Sequence, residues 1–102
     1  MSKYLVIITE KAQQDMRDFS NVVAIEYKSP LTAKKYLTGI YDQFRWLRTN
    51  AESFNIQTRK MFVQYGLYVR RLNYKKMTII YTVNQTTVYI HRVIPANTIG
   101  DL

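Results

Sequence analysis

The chain has 102 residues, with 15 lysines and arginines against 7 aspartates and glutamates, a formal charge of +8 and no cysteine. This length predicts a single domain over residues 1–102, and the lack of cysteine excludes disulfides and thiolate metal sites and is typical of a cytoplasmic protein. The positive charge suggests a polyanionic partner, such as nucleic acid, an acidic protein or a membrane surface, although charge that only aids solubility is the competing interpretation.

The N-terminal third predicts a strand followed by a helix. The apolar run from Tyr4 to Ile8 is too short for a signal peptide or a membrane span, and it predicts a buried strand over residues 4–9. Thr9 is placed to cap a helix that we expect from Glu10 to Tyr27. The apolar residues of this helix recur at helical spacing: Ala12, Met16, Phe19 and Val23.

A second helix is predicted from Pro30 to about Thr49. Ser29 supplies a capping hydroxyl, and proline is tolerated at the first helical position. Its apolar stripe is Ala33, Leu37, Ile40, Phe44 and Leu47. Because the connection between the two helices is so short, we expect an antiparallel helical hairpin.

Residues 50–65 carry weaker signals. Residues 50–58 have no clean period and predict a loop, which we expect Trp46 to cover. Residues 59–65 predict either an extra strand or an extended lead-in. Gly66 interrupts the run.

Residues 68–94 predict three strands in a meander. Their residues are mostly β-branched or aromatic, and polar turns at Lys75-Lys76 and at residues 84–86 separate them. Residues 95–102 form a short tail. The order β-α-α-β-β-β predicts an α+β fold with the helical hairpin on one face of a mostly antiparallel sheet. The expected core is Ala12, Met16, Phe19, Val23, Ala33, Leu37, Ile40, Phe44, Leu47, Ile79, Tyr81 and Val83.

Several kinds of chemistry have no support in the sequence. One histidine and no cysteine leave no basis for multi-histidine or Cys-His sites, and three isolated glycines form no phosphate-binding loop. The carboxylates are scattered, which disfavours a magnesium cage or a two-carboxylate hydrolase site. We therefore expect neither a cofactor nor a metal.

The basic residues of the meander are the main candidates for a functional site. Alternation places Arg70 and Arg71 on opposite faces, and Arg71 on the face away from the helices. Such a cluster suits a metal-free ribonuclease, in which arginine stabilises the charged intermediate. It equally suits an acidic segment of a protein partner, or a solvated face whose lysines discourage edge pairing. The candidate binding residues are Arg70, Arg71, Lys75, Lys76 and Arg92.

His91 is the only histidine, and alternation predicts it beside Tyr89 and Val93 on one face of the last strand. Because imidazole titrates near neutral pH, His91 is a candidate catalytic group. Arg70, Arg71 and Arg92 are the other candidates. A lone histidine in a strand is more often a packed or edge residue.

These segments together resemble the RelE/ParE toxin superfamily, the basic toxins of bacterial type II toxin–antitoxin modules, which include plasmid stabilisation systems. The resemblance extends over nearly the whole chain. It rests on the opening strand and Ala12, on Ser29-Pro30 opening the second helix, and on the three strands of residues 68–72, 77–83 and 88–93. It implies a cytoplasmic toxin held by an acidic antitoxin.

The resemblance also implies one of two targets, ribosome-bound messenger RNA in the RelE branch or DNA gyrase in the ParE branch. The basic positions of the nuclease branch fall here on Val69, Arg71, Thr78 and Thr98, and only Arg71 is basic. The chain is therefore expected to be ParE-like. The alternatives are a metal-free, ribosome-dependent messenger RNA interferase and an inactive basic binding module.

Overall fold

A computed structural model describes residues 3–26 and 28–101, and it confirms the predicted order of helices and strands. The predicted end of the first helix at Tyr27 lies outside these residues. The elements are β1 (Leu5–Ile8), α1 (Glu10–Glu26), α2 (Pro30–Asn50), β2 (Arg70–Tyr74), β3 (Met77–Asn84) and β4 (Thr87–Pro95). Two 3-10 helices, Lys60–Tyr65 and Ala96–Asp101, complete the fold.

The strands form one mixed sheet in the order β1-β4-β3-β2. The strands β2, β3 and β4 are antiparallel neighbours, as the meander predicts, and β1 joins the sheet parallel to β4. Parallel neighbours need a crossover connection, and the α1–α2 hairpin belongs to the connection between β1 and the meander. The predicted α+β class is confirmed.

Side-chain hydroxyls cap both α-helices as the sequence predicts. The Ala12 amide donates to Thr9 Oγ1 at 3.3 Å, and the Thr32 amide donates to Ser29 Oγ at 3.2 Å. Each bond satisfies an amide that has no partner inside its own helix. Thr9 Oγ1 also donates to the Ile90 carbonyl at 2.7 Å, so this cap holds the start of α1 against β4.

The main core lies between the helices and one face of the sheet, which we call the helix face. Of the expected core residues, Phe19, Leu37 and Val83 are half-buried against this core, and the other nine are buried. Removal of this apolar surface from water is the main force that holds the hairpin on the sheet, at about 25 cal/mol per Å².

The opposite side of the sheet, the far face, carries a second and smaller core. Its buried members are Phe62, Val69, Ile80, Ile94 and Ile99. The prediction for residues 59–65 was wrong on both alternatives, because the segment is the 3-10 helix that carries Phe62. The apolar residues of this segment match no regular period, and burial against Ile80 decides its conformation.

The loop after α2 is fastened to the helix face. The buried Tyr81 hydroxyl donates to the Ala51 carbonyl at 2.7 Å, and burial raises the pKa of Tyr81 to about 12. Trp46 contacts Phe54 edge-on, with 5.5 Å between ring centroids, so the expectation that Trp46 covers this loop is confirmed. Among the described helices, none is both long and apolar enough to cross a membrane.

Candidate functional site

The two adjacent arginines of β2 lie on opposite faces, as alternation predicts. Arg71 is on the far face with Val69 and Asn73, and Arg70 is on the helix face with Leu72. Arg70 donates through Nη1 to the carbonyls of Glu52 and Phe54. Arg70 therefore attaches the loop after α2 to strand β2.

Arg92 is held by a carboxylate from α1. Its Nε donates to Asp15 Oδ2 at 2.7 Å and its Nη2 to Asp15 Oδ1 at 3.1 Å. The Val93 amide, at the edge of β4 beyond β1, donates to Asp15 Oδ2 at 3.0 Å. Asp15 is 8% exposed, and its hydrogen bonds raise the pKa of the Arg92 guanidinium. The charge of Arg92 is thus neutralised inside the fold.

A register shift changes the predicted position of His91. Tyr81 pairs with Ile90 and Ile80 pairs with Arg92, so His91 is the extra residue of a β-bulge. Val93 consequently lies in the helix-face core, while His91 remains on the far face. The prediction that His91 and Val93 share a face was wrong, because strict alternation does not anticipate a bulge.

His91 is enclosed by two residues that the sequence pattern did not single out. Its Nε2 lies 2.7 Å from Thr82 Oγ1, and its ring stacks on Tyr65 with centroids 5.7 Å apart. Burial lowers the pKa of His91 below its ordinary value of 6.5. Since a buried imidazole is favoured in its neutral form, His91 is a hydrogen-bonding group at neutral pH.

This burial predicts a pH-dependent stability. An imidazole with a lowered pKa in the folded protein binds its proton more readily in the unfolded chain, so its contribution is complete above about pH 6.5 and declines as the pH falls toward the folded-state pKa. We expect the free energy of unfolding to fall more steeply between about pH 7 and pH 5 for the wild type than for His91→Gln. Denaturant titrations across this range measure it, and equal slopes contradict it.

A cleft of about 470 Å³ opens beside His91 on the far face. Its walls include Tyr65, Tyr68, Thr82 and Tyr89. Tyr68 is 66% exposed and has a φ of 56°, and the nearby Gly66 has a φ of 116°. A bulky residue in the left-handed region is uncommon and costs free energy. The loop therefore presents the Tyr68 ring to solvent in a conformation that local sequence does not favour.

Arg71 is the remaining basic residue of β2 on the far face. It is half-buried, and its Nη2 donates weakly to Asn73 Oδ1 at 3.4 Å. The other positions at which the nuclease branch is basic have structural contacts here. Val69 is buried, Thr78 donates to Asn73 at 2.8 Å, and Thr98 donates to the Pro95 carbonyl at 2.7 Å.

A second concave surface lies between α1 and α2, next to the end of β1. Its lining includes the apolar side chains of Ile8, Met16, Leu37 and Tyr41 together with Arg17, around a volume of about 380 Å³. The lining also includes Gln13, Ser20 and Asn21, and a mixed surface of this kind with one cation is suited to an amphipathic acidic segment. We call this surface the hairpin groove.

Among the side chains that the structure describes, histidines and carboxylates form no cluster of three that could hold a metal ion.

Two solved structures share the fold over most of their length. "Chromosomal ParDE TA system from P. aeruginosa" has a TM-score of 0.74 and 18% identity, covering 91% of this chain and 96% of that chain. The toxin–antitoxin complex RelBE2 from Mycobacterium tuberculosis has a TM-score of 0.60 and 20% identity, covering 94% and 95%. At such identities the likeness shows the fold alone, an α+β fold that this chain shares with both structures.

The sequence model of the family described as "ParE toxin of type II toxin-antitoxin system, parDE" matches residues 6–99. The chain therefore belongs to the ParE toxin family, a family of type II toxins within the predicted superfamily. No curated protein matches the sequence.

Proposed function

We propose that this toxin inhibits DNA gyrase in the cytoplasm and is neutralised by an acidic antitoxin. Membership of the ParE family over residues 6–99 supports the class of toxin. The observation that carries the choice of target is the internal pairing of the meander arginines. Arg92 is bound by Asp15 and Arg70 by loop carbonyls, which leaves Arg71 as the far-face arginine of the meander without a carboxylate partner in the described chain.

The far face offers few of the groups that metal-free RNA cleavage requires. Such cleavage needs a proton acceptor, a proton donor and positive charge at the developing phosphorane. Arg71 supplies one guanidinium, while His91 is desolvated and already bonded to Thr82. Binding to a protein target needs only a complementary surface with anchor residues. Tyr68 and Leu67 are exposed beside the far-face cleft and can act as anchors.

A ribosome-dependent messenger RNA interferase is the second candidate. It is favoured by the tyrosines of the far-face cleft, Tyr65, Tyr68 and Tyr89, whose rings suit base stacking. An inactive basic binding module is the third.

Three assays separate these candidates. Expression without a partner should arrest growth for either toxin, whereas normal growth identifies the inactive module. Supercoiling by purified gyrase should be blocked by the gyrase toxin alone. Cleavage of ribosome-bound message with unaffected supercoiling would establish the interferase instead.

Arg71 tests the choice of target within one chain. For a gyrase toxin we expect Arg71→Ala to keep part of the gyrase effect and to weaken antitoxin binding by about tenfold, close to 1.4 kcal/mol, because a partner carboxylate loses its guanidinium. For an interferase the same substitution should abolish toxicity, since it removes the far-face guanidinium of the meander that has no carboxylate partner in the described chain. Arg45→Ala is the matched control, because Arg45 is 72% exposed and pairs only with Asp42. Complete loss of toxicity with unchanged fold and antitoxin affinity would overturn the gyrase proposal.

The antitoxin is proposed to use the hairpin groove as well as the basic strands. Met16 and Leu37 supply apolar contacts there, and Arg17 attracts a carboxylate. Lys75 and Lys76 are exposed on the β2–β3 turn and can add charge contacts along the sheet. A neighbouring reading frame that encodes a protein with a net acidic C-terminal half is expected, and the lack of one would count against this partner.

A further inference from the structure

One end of the molecule concentrates exposed lysines. Here α1 ends, α2 begins and β2 turns into β3, and we call this region the lysine end. All of its lysines are exposed. They are Lys28, Lys34, Lys35, Lys75 and Lys76.

Direct contacts join the turn to the start of α2. The Lys76 amide donates to the Tyr36 hydroxyl at 3.3 Å. The Lys75 ammonium lies 5.3 Å from the centroid of the Tyr36 ring and 5.6 Å from that of Tyr74. Because Tyr36 directly follows Lys34 and Lys35 in α2, these contacts bring the two pairs of lysines to the same end.

The turn packs against a cluster of aromatic rings. Tyr36 contacts Phe19 with centroids 4.8 Å apart and Tyr74 with centroids 5.7 Å apart. Lys75 has a φ of 53°, which fixes it at the tip of a two-residue hairpin. Its ammonium is therefore presented from a defined position, with cation–π contacts on one side.

Little negative charge balances this end. In the described part of the chain the ion pairs are Arg45–Asp42 and Arg92–Asp15, so none of these lysines has a carboxylate within 4.0 Å. Glu26 lines a hollow of about 510 Å³ with Lys76, Pro95 and Asn97 and is the carboxylate at this end. The first turn of α2 has no acidic residue, so the positive end of the helix dipole adds to the lysine charges. Such an arrangement raises the free energy of the isolated protein and favours a polyanionic partner.

We propose that the lysine end binds the phosphate backbone of duplex DNA. Lysine is a compact point charge on a flexible stem and meets repeated phosphates without a fixed geometry. A protein segment would use apolar pockets, and those line the hairpin groove and the cavity that Phe19, Val22 and Met77 border. The exposed Ile25 and Leu31, beside the link between α1 and α2, are the residues a protein partner would contact here.

Binding of the purified chain to a short fluorescent duplex, measured by anisotropy at several salt concentrations, tests the proposal. Each phosphate contact contributes a slope of about −0.9 in log K against log salt, so four lysines predict a contribution of about −3.6. The variant Lys34→Gln/Lys35→Gln/Lys75→Gln/Lys76→Gln should bind at least about tenfold more weakly and lose most of this slope. Circular dichroism checks that it folds.

Two control variants test the DNA-binding proposal, and their outcomes do not depend on whether the protein inhibits gyrase. Lys3→Gln/Lys11→Gln/Arg45→Gln/Arg48→Gln removes the same charge elsewhere and should change affinity by less than about threefold. Ile25→Ser/Leu31→Ser should leave DNA binding unchanged. Equal weakening by both charge variants would show diffuse attraction and overturn the proposal. So would unchanged binding of the lysine variant, equal loss in Ile25→Ser/Leu31→Ser, or polyglutamate binding as tight as that of DNA.

Discussion

Replacement of Asp15 by alanine is expected to lower the free energy of unfolding by about 3 kcal/mol, because it leaves a largely buried guanidinium without its carboxylate. The same change removes the acceptor from the Val93 amide at the edge of β4. Two of the bonds that fasten α1 to the sheet run from Arg92 to Asp15. Chemical denaturation followed by circular dichroism measures the loss.

Asp15→Asn and Asp15→Leu/Arg92→Met separate the causes. Asparagine keeps an acceptor near the Val93 amide and loses the charge, so it should fall between the wild type and alanine. The double variant removes both charges and should be more stable than Asp15→Ala, because no buried ion is left unpaired. A loss below about 0.5 kcal/mol for Asp15→Ala would place this pair with ordinary surface ion pairs and contradict the expectation.

The second large effect is expected at Gly39 on α2. A β-carbon at this position would lie 1.9 Å from the Tyr74 hydroxyl oxygen and 2.5 Å from the ring carbon that bears it. Tyr74 is half-buried and packs edge-on against Tyr36, so its movement disturbs the support of the β2–β3 turn. Overpacking of this kind costs about 2 kcal/mol, which exceeds the gain of about 1 kcal/mol in helix propensity from glycine to alanine. Gly39→Ala should therefore destabilise the protein.

A double-mutant cycle with Tyr74→Ala isolates this contact. Once the tyrosine ring is gone, the alanine at position 39 no longer meets an obstacle and its higher helix propensity should make Gly39→Ala stabilising. The sign of the effect is thus expected to reverse between the two backgrounds. If Gly39→Ala is stabilising in the wild-type background, the close packing of α2 on β2 does not constrain this position.

Patterns over a few neighbouring residues were sufficient to predict the helical hairpin and the meander. The caps at Thr9 and Ser29 satisfy amides within three residues, and the apolar stripes of α1 and α2 follow one helical period. The strands of the meander are joined by two short turns, so neighbouring strands in sequence are neighbours in the sheet. Alternation within β2 placed Arg71 on the far face for the same local reason.

Most of the candidate site depended on contacts between residues distant in sequence. Asp15 and Arg92 are separated by 77 positions, and no local sequence pattern predicts their pairing. The bulge that turns His91 away from Val93 is a property of strand pairing, as is the placement of Tyr65 over the imidazole. Residues 60–65 became a 3-10 helix because Phe62 is buried on the far face against Ile80.

The sequence by itself determined the α+β order, the hairpin, the positive charge and the resemblance to a toxin family, because periodicity, caps, turns and composition act over a few residues. Tertiary structure alone decided which cations remain available to a partner. Arg70 and Arg92 look equivalent to Lys75 and Lys76 along the chain, yet the arginines are bound internally and the lysines are exposed. The physical reason is that the folded chain brings carbonyls and a buried carboxylate to the arginines and leaves the lysine end without a comparable counter-charge.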